Sequence, residues 1–130
     1  EPYSDIDIFL VTDEFQTEHY GWLDIYTNGI EEFEERIRLH DASLKGPILN
    51  GEQIIGEEGT LDNYRKIMID CPITQEAIQH NIAKSEEQYR IAREQPKGSH
   101  WHLQGKSMAE GYKENAQRLR KGDKKWMWEG

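Results

Sequence analysis

Two short apolar runs near the start of the chain give way to long stretches of helical periodicity. Residues 5–12 read Asp-Ile-Asp-Ile-Phe-Leu-Val-Thr, and residues 22–27 read Trp-Leu-Asp-Ile-Tyr-Thr; both are rich in β-formers. The polar segment from Asp13 to Gly21 is shorter than the dozen or more residues that a parallel crossover usually takes, so it predicts an antiparallel hairpin. A loop centred on Phe15 and Gln16 then pairs Asp7 with a residue near Asp24.

Helices dominate the remainder. Ile30, Phe33 and Ile37 recur at helical spacing over residues 30–40, with Glu31, Glu32, Glu34 and Glu35 early and Arg36 and Arg38 late, an order that complements the helix dipole. Gly46-Pro47 punctuates the chain, and Asn50-Gly51 between Ile48-Leu49 and Ile54-Ile55 predicts a small hairpin or a strand and turn. Thr60 is placed to cap a helix through Ile69, which Cys71-Pro72 breaks. Thr74 opens a long helix to Gln95 with Ile78, Ile82, Tyr89 and Ala92 on one face, ended by Pro96-Lys97-Gly98, and a last helix covers Ser107 to Lys121. The fold class is therefore α+β: a small sheet in residues 1–59, followed by a helical region, 60–130, packing on it.

Composition supports a modest core. Of 130 residues, 35% are hydrophobic, including four Trp, six Tyr and three Phe. The net charge of −9 argues against non-specific nucleic-acid or membrane binding. That charge is uneven: residues 1–62 carry 16 Asp/Glu against three Lys/Arg, and residues 63–130 carry nine against 13. Such a division suits divalent cations on one side and an anionic substrate on the other, although solvated helix faces produce it equally well. The lone cysteine, Cys71, has no partner for a disulfide, and no apolar stretch nears the roughly 20 residues needed to span a bilayer. A cytoplasmic protein is expected.

The chemistry concentrates in three carboxylates. Successive strand side chains alternate between faces, so Asp5 and Asp7 share one side of the first strand, and the expected pairing brings Asp24 to the same side. Like charges so placed are destabilising unless something positive lies between them. The histidines carry less. His100-Trp101-His102 flanks one residue in an expected loop and lacks a third ligand, and His19 and His40, near the carboxylates or the first helix, read as polar surface.

Ser4-Asp5-Ile6-Asp7-Ile8-Phe9-Leu10-Val11, followed by Leu23-Asp24-Ile25-Tyr26-Thr27 and a helix, resembles the nucleotidyltransferase superfamily, with its DNA polymerase β-like fold, and above all its minimal stand-alone members. The resemblance spans residues 4–56 and rests on these two stretches. It implies that Asp5 and Asp7 are a metal-binding pair, that Asp24 is the third metal-binding and catalytic carboxylate, and that Ser4 contacts the nucleotide. It further implies two Mg²⁺ ions, a nucleoside triphosphate such as ATP, and a hydroxyl acceptor on a small molecule, a protein or RNA; some minimal members are antitoxins that modify a partner toxin. The family's Gly-Ser strand, whose backbone cradles phosphates, precedes the Asp pair, and this chain opens at Glu1 just after the corresponding place. The rival expectation is accordingly a catalytically impaired binding or antitoxin module on the same core.

Overall fold

The computed structural model describes residues 6–13, 18–20 and 23–125, with the backbone alone for residues 6, 7, 18–20 and 23–25. Three strands, β1 (Ile6–Val11), β2 (Glu18–Tyr20) and β3 (Leu23–Asn28), precede five helices, α1 (Ile30–Arg38), α2 (Ala42–Asn50), α3 (Thr60–Asp70), α4 (Gln75–Arg93) and α5 (His100–Arg120). The protein is α+β. It divides into two compact units, residues 1–36 and 37–130; the boundary falls inside α1, and residues 37–59 group with the later helices.

In the first unit the strands make a mixed sheet in the order β1-β3-β2. The central strand β3 runs parallel to β1, from Ile6 opposite Leu23 to Val11 opposite Asn28, and antiparallel to β2, from Glu18 opposite Ile25 to Tyr20 opposite Leu23. This corrects the antiparallel hairpin expected between the two apolar runs. A direct connection of that length would allow only a hairpin, whereas Glu18-His19-Tyr20 makes the return pass as an outer strand and takes the place of the usual crossover helix.

Hydrogen bonds tie the strand ends to the start of α1. Thr12 N–H donates to Asn28 O at 2.8 Å and Phe33 N–H to Gly29 O at 2.9 Å. Ile30 N–H donates to Asp13 Oδ1 at 3.3 Å, which satisfies a first-turn donor that the helix itself cannot. Arg36 Nη1 donates to Asn28 Oδ1 at 2.7 Å. Phe33 and Ile37 are buried as their spacing predicts, while Ile30 stays 46% exposed.

The second unit opens with a second correction. Gly46-Pro47, expected as a break, lies in the middle of α2, and Ile48-Leu49-Asn50, expected to open a small hairpin or a strand and turn, forms the end of that helix. Asp41 caps this helix, accepting from Ser43 N–H at 2.8 Å, and Ala42, Leu44, Ile48 and Leu49 are buried. The cap and the buried apolar stripe outweigh the backbone donor lost at Pro47. Gly51 closes the helix with its N–H on Pro47 O at 3.0 Å, and a Cβ there would stand 2.0 Å from that oxygen. Only glycine fits.

Thr60 is the first residue of α3, and Gly59, at φ 86°, occupies the capping position expected for Thr60. Thr74 does cap α4, its Oγ1 accepting from Ala77 N–H at 3.0 Å. Helix α5 starts at His100 rather than Ser107, because Ser99 Oγ accepts from His102 N–H at 3.3 Å and begins the helix earlier. His100-Trp101-His102 therefore forms a helical first turn, not a loop.

Helices α4 and α5 pack antiparallel along a seam of small and polar residues. His102 Nδ1 donates to Ala92 O at 2.9 Å, Ser85 Oγ to Ala109 O at 2.8 Å, and Asn115 Nδ2 to Asn81 Oδ1 at 2.9 Å. A Cβ on Gly105 would lie 3.1 Å from Ala92 Cβ, so the backbones approach closely there. On α5 the buried positions Gly105, Ala109, Tyr112, Ala116 and Leu119 follow steps of four and three, the spacing of a coiled-coil seam.

Two glycines should respond oppositely to alanine. Gly51→Ala forces Cβ into backbone and should lower stability by about 1–3 kcal/mol. At Gly111, inside α5, a Cβ meets nothing within 4 Å and no proline follows, so Gly111→Ala should stabilise the helix by about 0.5–1 kcal/mol. Urea denaturation midpoints of the two variants check both signs.

Candidate functional site

Backbone register places two of the three carboxylates. Asp7 in β1 lies directly opposite Asp24 in β3, and His19 in β2 lies opposite Asp24 on the other flank. Asp7, Asp24 and His19 thus form one row across the sheet, on strands spaced about 4.8 Å apart. Asp5 and Ser4 lie outside the described residues. The sequence led to an expected partner near Asp24 for Asp7 through an antiparallel hairpin; the observed Asp7–Asp24 pair arises from parallel strands instead.

The next row along the same face is aromatic. Phe9 and Tyr26, two residues beyond Asp7 and Asp24, pair in register, and their rings stack with centroids 5.0 Å apart at an interplanar angle of 23°. A packed aromatic pair fixes the register of β1 on β3. That register in turn keeps two carboxylate positions opposed, an arrangement that costs stability in a sheet without a compensating cation or proton.

A second polar centre lies in the residue 37–130 unit. Asp41, fully buried, accepts at Oδ1 from Ser43 N–H, from Ser43 Oγ and, at 3.0 Å, from Tyr112 OH; its Oδ2 accepts from His80 Nε2 at 2.7 Å. Around it, Asn81 Oδ1 accepts from Ala42 N–H and from Asn115 Nδ2, while Asn81 Nδ2 donates to the carbonyls of Leu39, His40 and Ala77. Asn115 Nδ2 also donates to His40 O at 2.7 Å. These bonds hold His40 in a left-handed conformation at φ 49°, just before the cap of α2. Both Asp41 oxygens are committed, so the centre organises α2, α4 and α5 instead of offering ligands.

His40 and Lys45, both fully buried, border it. His40 Nε2 donates to Cys71 O at 3.0 Å, and desolvation, with Lys45 nearby, holds its pKa below the ordinary 6.5. Burial lowers Lys45 to about 8, and its ammonium donates to Lys124 O. Asp41, Asn81 and Asn115 escaped sequence reasoning because isolated polar residues read as surface. Two signals were present: Asp41-Ala42-Ser43 is a capping pattern ahead of an apolar stretch, and Asn115 sits three residues after Tyr112 and four before Leu119, inside the seam's rhythm.

Two open grooves lie on the surface of the described residues. One of about 410 Å³ lies between α4 and α5, lined by Gln88, Ile91, Trp101 and Met108 among others, and one of about 220 Å³ lies beside Gly51, Gln53, Asp62 and Arg65. Neither gathers a set of catalytic groups. Among the described residues no three His, Cys, Asp or Glu side chains form a metal-binding group, and no helix is long and apolar enough to cross a membrane. Comparison with protein-family models, curated proteins and solved structures yields no match.

The Asp41 centre should be structural. Removing a buried, multiply bonded carboxylate leaves His80, Tyr112 and Ser43 without their acceptor, so Asp41→Ala should cost about 3 kcal/mol or more, read from chemical denaturation. His40 sets a pH dependence. Because its folded pKa is lowered, the unfolded chain binds more protons below pH 6.5; the contribution is full above that value and lost as pH falls toward the folded pKa. Denaturation curves recorded from about pH 7.5 down to about pH 5 should show that loss, and His40→Asn, which tolerates the left-handed backbone, should flatten it.

Proposed function

We propose that the chain is a Mg²⁺-dependent nucleotidyltransferase on a polymerase β-like core, moving a nucleoside monophosphate from a nucleoside triphosphate, with ATP the expected donor, to a hydroxyl. The observation that carries this reading is the register of Asp7 on Asp24: two carboxylate positions opposed on adjacent strands, the first of them closing the Ser-Asp-x-Asp stretch. Opposed carboxylates are a liability in a sheet and become useful when divalent cations sit between them. Oxygen ligands suit Mg²⁺.

Asp5, Asp7 and Asp24 would hold the ions. Bound Mg²⁺ supplies charge neutralisation at the triphosphate and at the attacking hydroxyl. Asp24 takes the hydroxyl proton as the acceptor oxygen bonds to the α-phosphorus, the bond from that phosphorus to the β-phosphate bridging oxygen breaks, and pyrophosphate leaves. Ser4 would contact the nucleotide phosphates. The acceptor belongs to the hydroxyl class of small molecules, proteins or RNA, a partner toxin among them.

Calorimetry with ATP and Mg²⁺, on the chain together with whatever its gene encodes upstream of Glu1, tests the reading. Magnesium-dependent nucleotide binding is the expected result, and its absence in the longer chain would overturn the enzyme. Transfer of the nucleotidyl group from an α-phosphate-labelled triphosphate should fall about 10²-fold or more in Asp7→Asn and in Asp24→Asn. In metal-free buffer the melting temperature of both variants should hold or rise, because each removes one of two opposed charges. A drop in melting temperature would mark the pair as structural.

A further inference from the structure

The face of α4 and α5 on which α2 rests continues past that helix uncovered. Asn81 Oδ1 accepts from Ala42 N–H at the start of α2, and Asn115 Nδ2 donates to His40 O beside it. Steps of seven from these asparagines follow the same face, from Asn81 to Gln88 and Gln95 on α4 and from Asn115 back to Met108 and Trp101 on α5. Those four residues, with Ile91 and Gln104, line the groove of about 410 Å³. Trp101 is 61% exposed and Met108 40%. One stretch of the face thus carries a helix, and the next carries none among the described residues.

We infer that a second copy of the chain covers this groove, about a twofold axis that sets the two α5 helices antiparallel, each in the other's groove. Charge selects that partner. No residue lining the groove is charged, in a chain that is 32% charged with a net −9, so the face repels no copy of itself and gives a charged peptide nothing to pair with. Gln88, Gln95 and Gln104 both donate and accept hydrogen bonds, and therefore match their own copies. Shape sets the register. Trp101, Gln104, Met108 and Gly111 follow steps of three, four and three, and an antiparallel pair centred midway between Gln104 and Met108 puts Trp101 opposite Gly111 of the second copy and Gln104 opposite Met108. A Cβ at Gly111 meets nothing within 4 Å, so the largest side chain of the stripe faces the one position that leaves room for it.

Sedimentation velocity of the full chain over a rising concentration series tests this apart from any activity. The expected result is a monomer–dimer equilibrium that Trp101→Glu and Gly111→Leu each weaken about tenfold or more, while Ile55→Glu, at an apolar residue 73% exposed outside the groove, leaves it unchanged. Both groove positions have free space within one copy, so neither variant should melt at a lower temperature than the unaltered chain in dilute solution. Disulfide trapping reads the register: with Cys71→Ser in every chain, Gln104→Cys chains mixed with Met108→Cys chains should cross-link faster than either kind alone. A monomer throughout the series would overturn the inference, whether the groove stays bare or takes a segment of the same chain or an unrelated protein. Association that survives Trp101→Glu, that falls in Ile55→Glu or that grows beyond the dimer would overturn it as well, and dimers without the mixed cross-link would overturn the register.

Discussion

Everything in the first unit turns on one constraint, the parallel pairing of β1 with β3. Parallel neighbours cannot be joined by a tight turn, so the chain must travel back before it can pair again. It does so as β2, and the same detour that solves the connectivity sets His19 beside Asp24. The pairing then passes into α1 through a shared set of bonds. Asp13, at the end of the β1 run, accepts from the first backbone donor of α1, and Asn28, the last residue of β3, holds Arg36 on the same helix. Strand register and helix entry are thus one problem with one solution.

The second unit solves a different problem. Helices α4 and α5 meet over glycine, alanine, serine and asparagine, residues that bring backbones close but bury little apolar area. Close approach buries polar side chains, and each needs partners. Asp41 and Asn81 meet that need together: one carboxylate and one amide collect donors and acceptors from α2, α4 and α5. A buried network of this kind is stable only when its members are matched, which is why loss of a single acceptor is expected to cost far more than its net contribution.

Much of this was legible in the sequence where periodicity and capping agreed. The spacing of Phe33 and Ile37, the Glu-to-Arg order along α1 and the cap at Thr74 each had a local cause, and the structure keeps them. The failures share a different cause. Gly46-Pro47 looked like a break because propensity is local, while the burial of Leu44 and Ile48 that carries α2 through it is tertiary. His100-Trp101-His102 looked like a loop because Ser99 was not recognised as a cap. Of the candidate site, residue types and the neighbourhood of Asp7, Asp24 and His19 could be read; strand direction and the register of His19 on Asp24 could not, since a three-residue strand carries almost no pattern of its own.

The division into units sharpens the charge argument. Residues 1–36 carry 11 Asp/Glu and a single Arg, whereas residues 37–130 carry 14 Asp/Glu and 15 Lys/Arg. The entire net negative charge of the protein therefore belongs to the unit that holds the Asp row. A field of that sign repels a free triphosphate and concentrates cations, and it acts over about a Debye length, roughly 8–10 Å at ordinary ionic strength. An anionic substrate can approach such a unit only with its charge already neutralised. On the proposed reading, the cations serve the encounter as well as the chemistry, so binding of nucleotide without metal should be disfavoured by the unit as a whole and not by the three carboxylates alone.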